Sequence, residues 1–73
     1  MTVKELRKVA KGTQEIIISK WVNDIDAEGD LDGYSEVVFY GMNVEIPDDL
    51  NKLEVYKILT GLDEVLSLYV KEA

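Results

Sequence analysis

Residues 15–22 read EIIISKWV, a short segment in which β-branched and aromatic side chains predominate. That composition favours a strand over a helix. Alternation along a strand places Ile16, Ile18 and Val22 on one face and Ile17 and Trp21 on the other. Because both faces carry apolar side chains, we expect this segment to be an inner strand of a sheet.

A second strand is predicted at residues 34–40, which read YSEVVFY. Between the two strands, Asn23–Gly33 (NDIDAEGDLDG) is rich in Asp, Asn and Gly, and Asp32-Gly33 is a turn signal. We therefore expect residues 23–33 to be a loop. The two strands and this loop would form a hairpin with a long acidic connection.

Residues 2–11 have the pattern of an amphipathic helix. Thr2 and Glu5 have the spacing of a capping box, and Gly12 is of the type that commonly ends a helix in the left-handed conformation. The apolar side carries Val3, Leu6, Val9 and Ala10. The opposite side carries a basic stripe of Lys4, Arg7, Lys8 and Lys11, which is typical of the solvent face of such a helix.

The second half of the chain begins with a short helical turn at Ile46–Lys52, where Pro47 suits a first helical position. Val55–Thr60 and Val65–Lys71 then have the composition of a second hairpin. An alternative stays open, because the C-terminal segment also fits a helical stripe formed by Leu62, Val65, Leu66 and Tyr69.

These elements predict a single small domain, residues 1–73, of the α+β class. The expected order is α-β-β-short α-β-β, with the N-terminal helix packed on an antiparallel sheet of about four strands. The alternative replaces the last hairpin by a helix. A chain of 73 residues allows only a small core, so a homodimer built on a sheet edge or on a free sheet face is a reasonable expectation.

Histidine and cysteine are absent from the sequence. This excludes zinc fingers, haem and iron–sulfur centres, and catalysis by Ser-His-Asp or Cys-His groups. The sequence also lacks a glycine-rich phosphate-binding loop. We therefore expect a protein that is not an enzyme and that has no cofactor.

The sequence also bears on cellular location. The absence of cysteine fits a reducing compartment, and the first twelve residues lack the apolar run of a signal peptide. The longest uncharged run, Val37–Val44, has eight residues, whereas a membrane span needs about 20. We expect a cytoplasmic protein that does not associate with membranes.

Charge is strongly partitioned in this chain of net charge −7, because residues 21–51 contain nine acidic and no basic side chains. Carboxylates at alternate positions can imitate a row of phosphates and attract the basic surface of another protein. Aromatic residues, which are enriched in interface hot spots, flank them. The candidate partner-binding residues are Trp21, Asp24, Asp26, Glu28, Asp30, Asp32 and Tyr34. The net charge argues against nucleic acid as the main partner.

Three other interpretations of the acidic segment remain. The first is a solvated turn-rich loop that keeps the protein dispersed. The second is a calcium site, because the run Asp24-x-Asp26-x-Glu28-Gly29-Asp30-Leu31-Asp32 follows the spacing of an EF-hand loop, with Gly at the sixth position and an apolar residue at the eighth. The EF-hand match departs at Ser35, where a bidentate carboxylate is required, and a strand is predicted where a helix is needed. A catalytic carboxylate pair is the third interpretation.

The layout resembles small acidic proteins encoded by phages and prophages of Gram-positive bacteria. The resemblance rests on TVKELRKVAKGTQEIIIS at residues 2–19, VEIPDDLNKLEVYKI at 44–58 and LSLYVKE at 66–72. It implies an accessory protein, and some similar proteins bind and block host enzymes. It assigns no functional residue, because no defined motif is matched, and it places the protein in the host cytoplasm.

Overall fold

The computed structural model describes residues 1–25, 31–61 and 63–72, with residues 23–25 and 31–32 described by their backbone alone. Within these ranges the chain forms one short helix and a four-stranded sheet, so the α+β class is confirmed at this level. The elements in chain order are α1 (Val3–Val9), β1 (Glu15–Ile25), β2 (Leu31–Met42), the 3-10 helices η1 (Asn43–Glu45) and η2 (Asp48–Leu50), β3 (Glu54–Thr60) and β4 (Leu66–Lys71).

Helix α1 begins with the predicted capping box. The Thr2 hydroxyl accepts the Glu5 backbone N–H at 3.3 Å, and the Glu5 carboxylate accepts the Thr2 backbone N–H at 3.0 Å. These hydrogen bonds satisfy two backbone donors that the first turn of a helix leaves unpaired. They also hold the pKa of the Glu5 carboxyl below its ordinary value, with the bond from the Thr2 backbone as the main cause.

The end of α1 differs from the sequence-based expectation. The helix stops at Val9, and Ala10 is already extended, so the left-handed cap predicted at Gly12 is wrong. Instead the Asn43 side-chain amide donates to the carbonyls of Arg7 and Ala10, both at 3.1 Å. Because the helix is short, Val9 is 77% exposed and does not join the apolar side.

The sheet has the strand order β2-β1-β4-β3, which places β1 in the interior as predicted. Strands β1 and β2 form one antiparallel hairpin and β3 and β4 form another. The two hairpins join through β1 and β4, which run parallel from Ile16↔Leu66 to Lys20↔Val70. The expected all-antiparallel sheet is therefore wrong, because the sheet is mixed. The helical alternative for the C-terminal segment is also wrong, since residues 66–71 are a strand.

The mixed sheet follows from the connection between β2 and β3. Strand β2 lies at one edge and β3 at the other, so residues 43–53 must carry the chain across a face of the sheet. Ile46 and Leu53 on this connection are buried beside Val3 and Leu6 of the helix. The connection and α1 therefore cover the same face. The second hairpin then meets β1 through β4, whose direction matches that of β1.

One core lies under α1. Its sheet side is formed by residues of three strands that pair across the sheet: Ile16 and Ile18 of β1, Leu68 and Val70 of β4, and Val55 of β3. Ile16, Ile18, Leu68 and Val70 are fully buried, and burial of each such side chain contributes about 1.5–3 kcal/mol. The small core is thus concentrated on one face of the sheet.

The other face of the sheet, called the open face below, presents the alternate residues of each strand. Its half-buried centre holds Ile17 and Tyr69. Around them lie large side chains that are substantially exposed, namely Trp21, Val37, Tyr40, Met42, Tyr56 and Leu59.

In the described part of the chain, no helix is long and apolar enough to cross a membrane.

Candidate functional site

The β1–β2 hairpin extends past the rest of the sheet. Strand β4 pairs with β1 only as far as Lys20, whereas the β1–β2 ladder continues from Trp21↔Ser35 to Ile25↔Leu31. Residues 21–25 and 31–35 therefore form a two-stranded projection, called the arm below. The loop expected at Asn23–Gly33 is shorter than predicted, because residues 23–25 and 31–33 are strand.

A physical reason explains why polar residues continue the ladder here. In the arm neither strand has a third strand beside it among the described residues, so both faces of the ribbon lie away from the core under α1. Asp, Asn and Gly are disfavoured in sheet interiors mainly because they pack poorly there. That penalty is small in a projecting ribbon, and the backbone hydrogen bonds remain available.

The structure places part of the predicted acidic site. The ladder sets the backbones of Asp24 and Asp32 directly opposite each other near the end of the arm. Asp26, Glu28 and Asp30, which were predicted with them, lie outside the described residues. Residues 24–32 contain five acidic and no basic side chains, so the end of the arm is strongly acidic by composition.

The two predicted aromatic residues lie at the base of the arm but on different faces. Trp21 is opposite Ser35 and Tyr34 is opposite Val22 in the register, and successive residues of a strand point to opposite faces. Trp21 therefore belongs to the open face, and Tyr34 to the face that α1 covers farther along the sheet. They are 40% and 51% exposed, so a surface that contacts one side of the arm meets only one of them.

The Trp21 indole lies directly over Gly33. A Cβ atom added at Gly33 would be 2.1 Å from Cζ2 and 2.6 Å from Cε2 of the indole, so no residue other than glycine fits beneath the ring in this position. The close approach covers the glycine backbone with an aromatic side chain, an arrangement known to support glycine within sheets. Both residues belong to the arm, so this contact joins its two strands to each other at the base.

Two further residues join Trp21 in a shallow groove of about 350 Å³, which is lined by Trp21, Tyr56 and Lys71. Tyr56 also packs against Tyr69 with a ring-centroid distance of 6.4 Å, and the Lys57 ammonium lies 5.8 Å from the centre of the Tyr69 ring. The sequence analysis did not select Tyr56 or Lys71, because nothing local links them to Trp21. The parallel pairing of β1 and β4 brings them to the same groove.

Ion pairs fix several charges in the neighbourhood of the sheet. Lys20, at the base of the arm, pairs with Glu72 at 2.5 Å, and this hydrogen bond holds the pKa of the Glu72 carboxyl below its ordinary value. In the basic stripe of α1, Arg7 donates to Asn51 at 2.8 Å and to Asp48 at 3.3 Å. Arg7 therefore joins the helix to η2, which is a structural role.

The chemistry available at these sites is recognition of charge and of aromatic surface. The groove combines two aromatic rings with one ammonium group. Among the side chains that the structure describes, no group of three or more Asp or Glu is arranged to hold a metal ion. Both segments that flank residues 26–30 are strands, whereas an EF-hand loop lies between helices.

Comparison of the chain with protein-family models, with curated proteins and with solved structures found no match.

Proposed function

We propose that this protein is a non-enzymatic protein-binding module that uses its acidic arm to contact a basic surface on another protein. The observation that carries the proposal is the projection of the arm beyond the strand that would otherwise flank it. A ribbon of this kind can enter a groove that a flat sheet cannot reach.

The dimensions of the molecule support this proposal. Its principal extents are 45 × 26 × 17 Å and its radius of gyration is 13.3 Å, whereas a compact domain of this length has a radius of gyration of about 11 Å. The excess follows from the elongated sheet and its arm. Five of the fifteen acidic residues of the chain fall within residues 24–32, which include the ends of the two arm strands, and we expect this sequence clustering to concentrate negative potential there.

Charge and aromatic surface give the class of partner. Complementary potentials increase the rate of association and disfavour wrong partners, so a surface rich in Lys and Arg fits the arm. The resemblance to phage and prophage proteins adds a specific form of the proposal. In this form of the proposal, the arm occupies the nucleic-acid-binding groove of a host enzyme in the cytoplasm and inhibits that enzyme.

The calcium-binding alternative has less support. It requires a helix before the acidic segment, and β1 occupies that position up to Ile25. Strand pairing on both sides of residues 26–30 is typical of a hairpin connection. We therefore favour recognition of a protein over recognition of a cation.

The test is affinity capture from a bacterial lysate with the wild-type chain and two triple variants. The first, called the arm variant because its changes lie in the arm strands or in the chain segment between them, is Asp26→Asn/Asp30→Asn/Asp32→Asn. The control, Asp48→Asn/Asp49→Asn/Asp63→Asn, removes the same charge elsewhere. We expect the wild type and the control to capture the same proteins, and the arm variant to capture none of them. These proteins should elute between about 0.05 and 0.5 M salt, because salt screens exposed charges.

Two outcomes would contradict this proposal. One is capture of the same proteins by the arm variant at the same salt concentration. The other is an equal loss of capture in the control variant, which would show that overall charge rather than the arm determines binding. Circular dichroism of all three proteins establishes whether a loss of capture reflects unfolding.

A further inference from the structure

The open face of the sheet is an apolar surface that the described part of the chain leaves exposed. Tyr40 is 64% exposed and Val37 is 61% exposed on β2, while Tyr56 and Leu59 on β3 are 46% and 44% exposed. Trp21 and Met42 extend the surface toward its two ends. These side chains surround a centre formed by Ile17 and Tyr69 together with Ser19 and Ser67, so apolar residues of all four strands share the face with two small polar ones.

The area of this surface is comparable with one side of a small protein interface. A fully exposed aromatic side chain presents about 200 Å² of surface to solvent. On this scale, the exposed fractions of the six outer residues, three aromatic and three aliphatic, amount to about 500 Å² of apolar surface. This is at the upper end of the range for the largest apolar patch on a typical monomer, about 300–600 Å². Two such faces packed together would bury about 1,000 Å² of apolar area, the minimum expected of a specific interface.

The charges on the open face show which occupant fits it. Lys57 and Lys71 lie on the face, Glu15 lies at its lower edge, and the Met1 amino group is paired with Glu54 at 2.9 Å. These groups carry one more positive than negative charge in a chain of net charge −7. The face therefore carries little net charge, so two copies repel each other less across it than their overall charge of −7 would imply.

We propose that two copies of this chain associate through their open faces to form a two-fold symmetric dimer in which the two sheets pack face to face. An interface of this type uses the same surface on both copies. It gives each sheet an apolar layer on its second face, which a single short helix cannot provide. Sheets packed in this way lie about 10 Å apart, a separation that the aromatic side chains of the open face can fill.

Salt distinguishes this association from binding by the arm. Two copies of net charge −7 repel each other outside the interface, and salt screens that repulsion over about 10 Å at 0.1 M. The dimer should therefore become tighter as the salt concentration rises. Binding of a basic partner by the arm should weaken under the same conditions, so failure of one proposal leaves the other intact.

The experiment is sedimentation velocity of the full chain from about 10 μM to about 1 mM, because dimerisation depends on protein concentration. Two variants, Tyr40→Lys and Leu59→Lys, each place a charge on the open face at an exposed position. The control Val9→Lys adds the same charge at an exposed position of α1. We expect the wild type and the control to dimerise, and each face variant to raise the dissociation constant at least about tenfold.

Three results would overturn the proposal. The wild type could remain an 8.3-kDa monomer over the whole range, which would leave the face to a different protein. The dimer could lose stability with Tyr40→Lys but not with Leu59→Lys, which would indicate pairing of β2 edges. The control could weaken the dimer as much as the face variants do. Thermal unfolding of each variant shows whether its fold is retained.

Discussion

Gly33 shows how a single residue shapes the base of the arm. Its Cα lies beneath the Trp21 indole, and any added Cβ would overlap the ring. We expect Gly33→Ala to displace the indole and to destabilise the fold by about 1 kcal/mol, the lower range for overpacking. Trp21 is the single tryptophan of the chain, so a red shift in its fluorescence reports the displacement directly.

A double-mutant cycle separates this contact from the backbone effect of glycine. Glycine in a strand is about 0.5–1 kcal/mol less favourable than alanine, so Gly33→Ala should stabilise the fold in a Trp21→Ala background. The sign of the effect thus reverses when the indole is removed. Gly12→Ala is the control, since its nearest neighbour would be Val44 at 3.8 Å. The same sign in both backgrounds would show that the contact is unimportant.

Asn43 illustrates a residue whose role the sequence does not reveal. It is 4% exposed and caps the end of α1 from a position 33 residues beyond Ala10. The sequence pointed to Gly12 because a glycine after an amphipathic segment is a local signal. The actual cap is a tertiary contact that depends on where the β2–β3 connection crosses the helix, so no local pattern could identify it.

At the scale of the element, the capping box of α1 gives a prediction about pH. Hydrogen bonding to Thr2 lowers the pKa of Glu5 in the folded state. A carboxyl group whose pKa is lower in the folded protein than in the unfolded chain stabilises the fold at pH values above its unfolded-state pKa. This stabilisation is lost as the pH falls through its folded-state pKa. Glu5→Gln keeps the geometry of the box but removes the charge. We expect a lower melting temperature for Glu5→Gln at pH 7, and a difference from the wild type that shrinks as the pH falls below 4.5, the ordinary pKa of a Glu carboxyl.

The control for this experiment is Asp49→Asn, which removes one negative charge at an exposed position of η2. It keeps the net charge equal to that of Glu5→Gln while leaving α1 unchanged. Melting curves of all three proteins between pH 7 and pH 3 are then compared. Parallel curves for the wild type and Glu5→Gln would mean that the Glu5 charge does not contribute to helix capping.

The elements also show which parts of the fold could be predicted. The first turn of α1, the inner strand β1 and both hairpins follow from signals within about fifteen residues, such as the Thr2–Glu5 spacing and the β-rich segments. The parallel pairing of β1 with β4 joins residues 50 apart, for example Ile16 and Leu66. Side chains alternate between the two faces of a strand in the same way whether the neighbouring strand is parallel or antiparallel. The sequence pattern therefore could not distinguish the two kinds of pairing. Because this pairing could not be predicted, Tyr56 and Lys71 could not be identified from the sequence as neighbours of Trp21.

At the scale of the whole molecule, two surfaces with opposite physical character lie next to each other. The arm carries acidic residues on a narrow ribbon, and the open face carries apolar residues with a slight excess of positive charge. Trp21 belongs to both, because it stands at the base of the arm and borders the groove with Tyr56 and Lys71. A dimer of the proposed kind would cover Trp21 and leave the acidic ends of both arms, beyond Val22 and Tyr34, available to a partner.

Removal of the arm tests whether these two surfaces act independently. Residues 23–33 can be replaced by Asn-Gly, which suits a two-residue hairpin turn between the paired residues Val22 and Tyr34. None of the residues that form the core belongs to the deleted segment, so we expect the fold to remain and its melting temperature to change by only a few degrees. The deletion removes five negative charges. Dimerisation should therefore persist with a weaker dependence on salt, while capture of basic partners is lost. A deletion variant that unfolds, or that still captures the same partners, would show that the arm is not a separate recognition element.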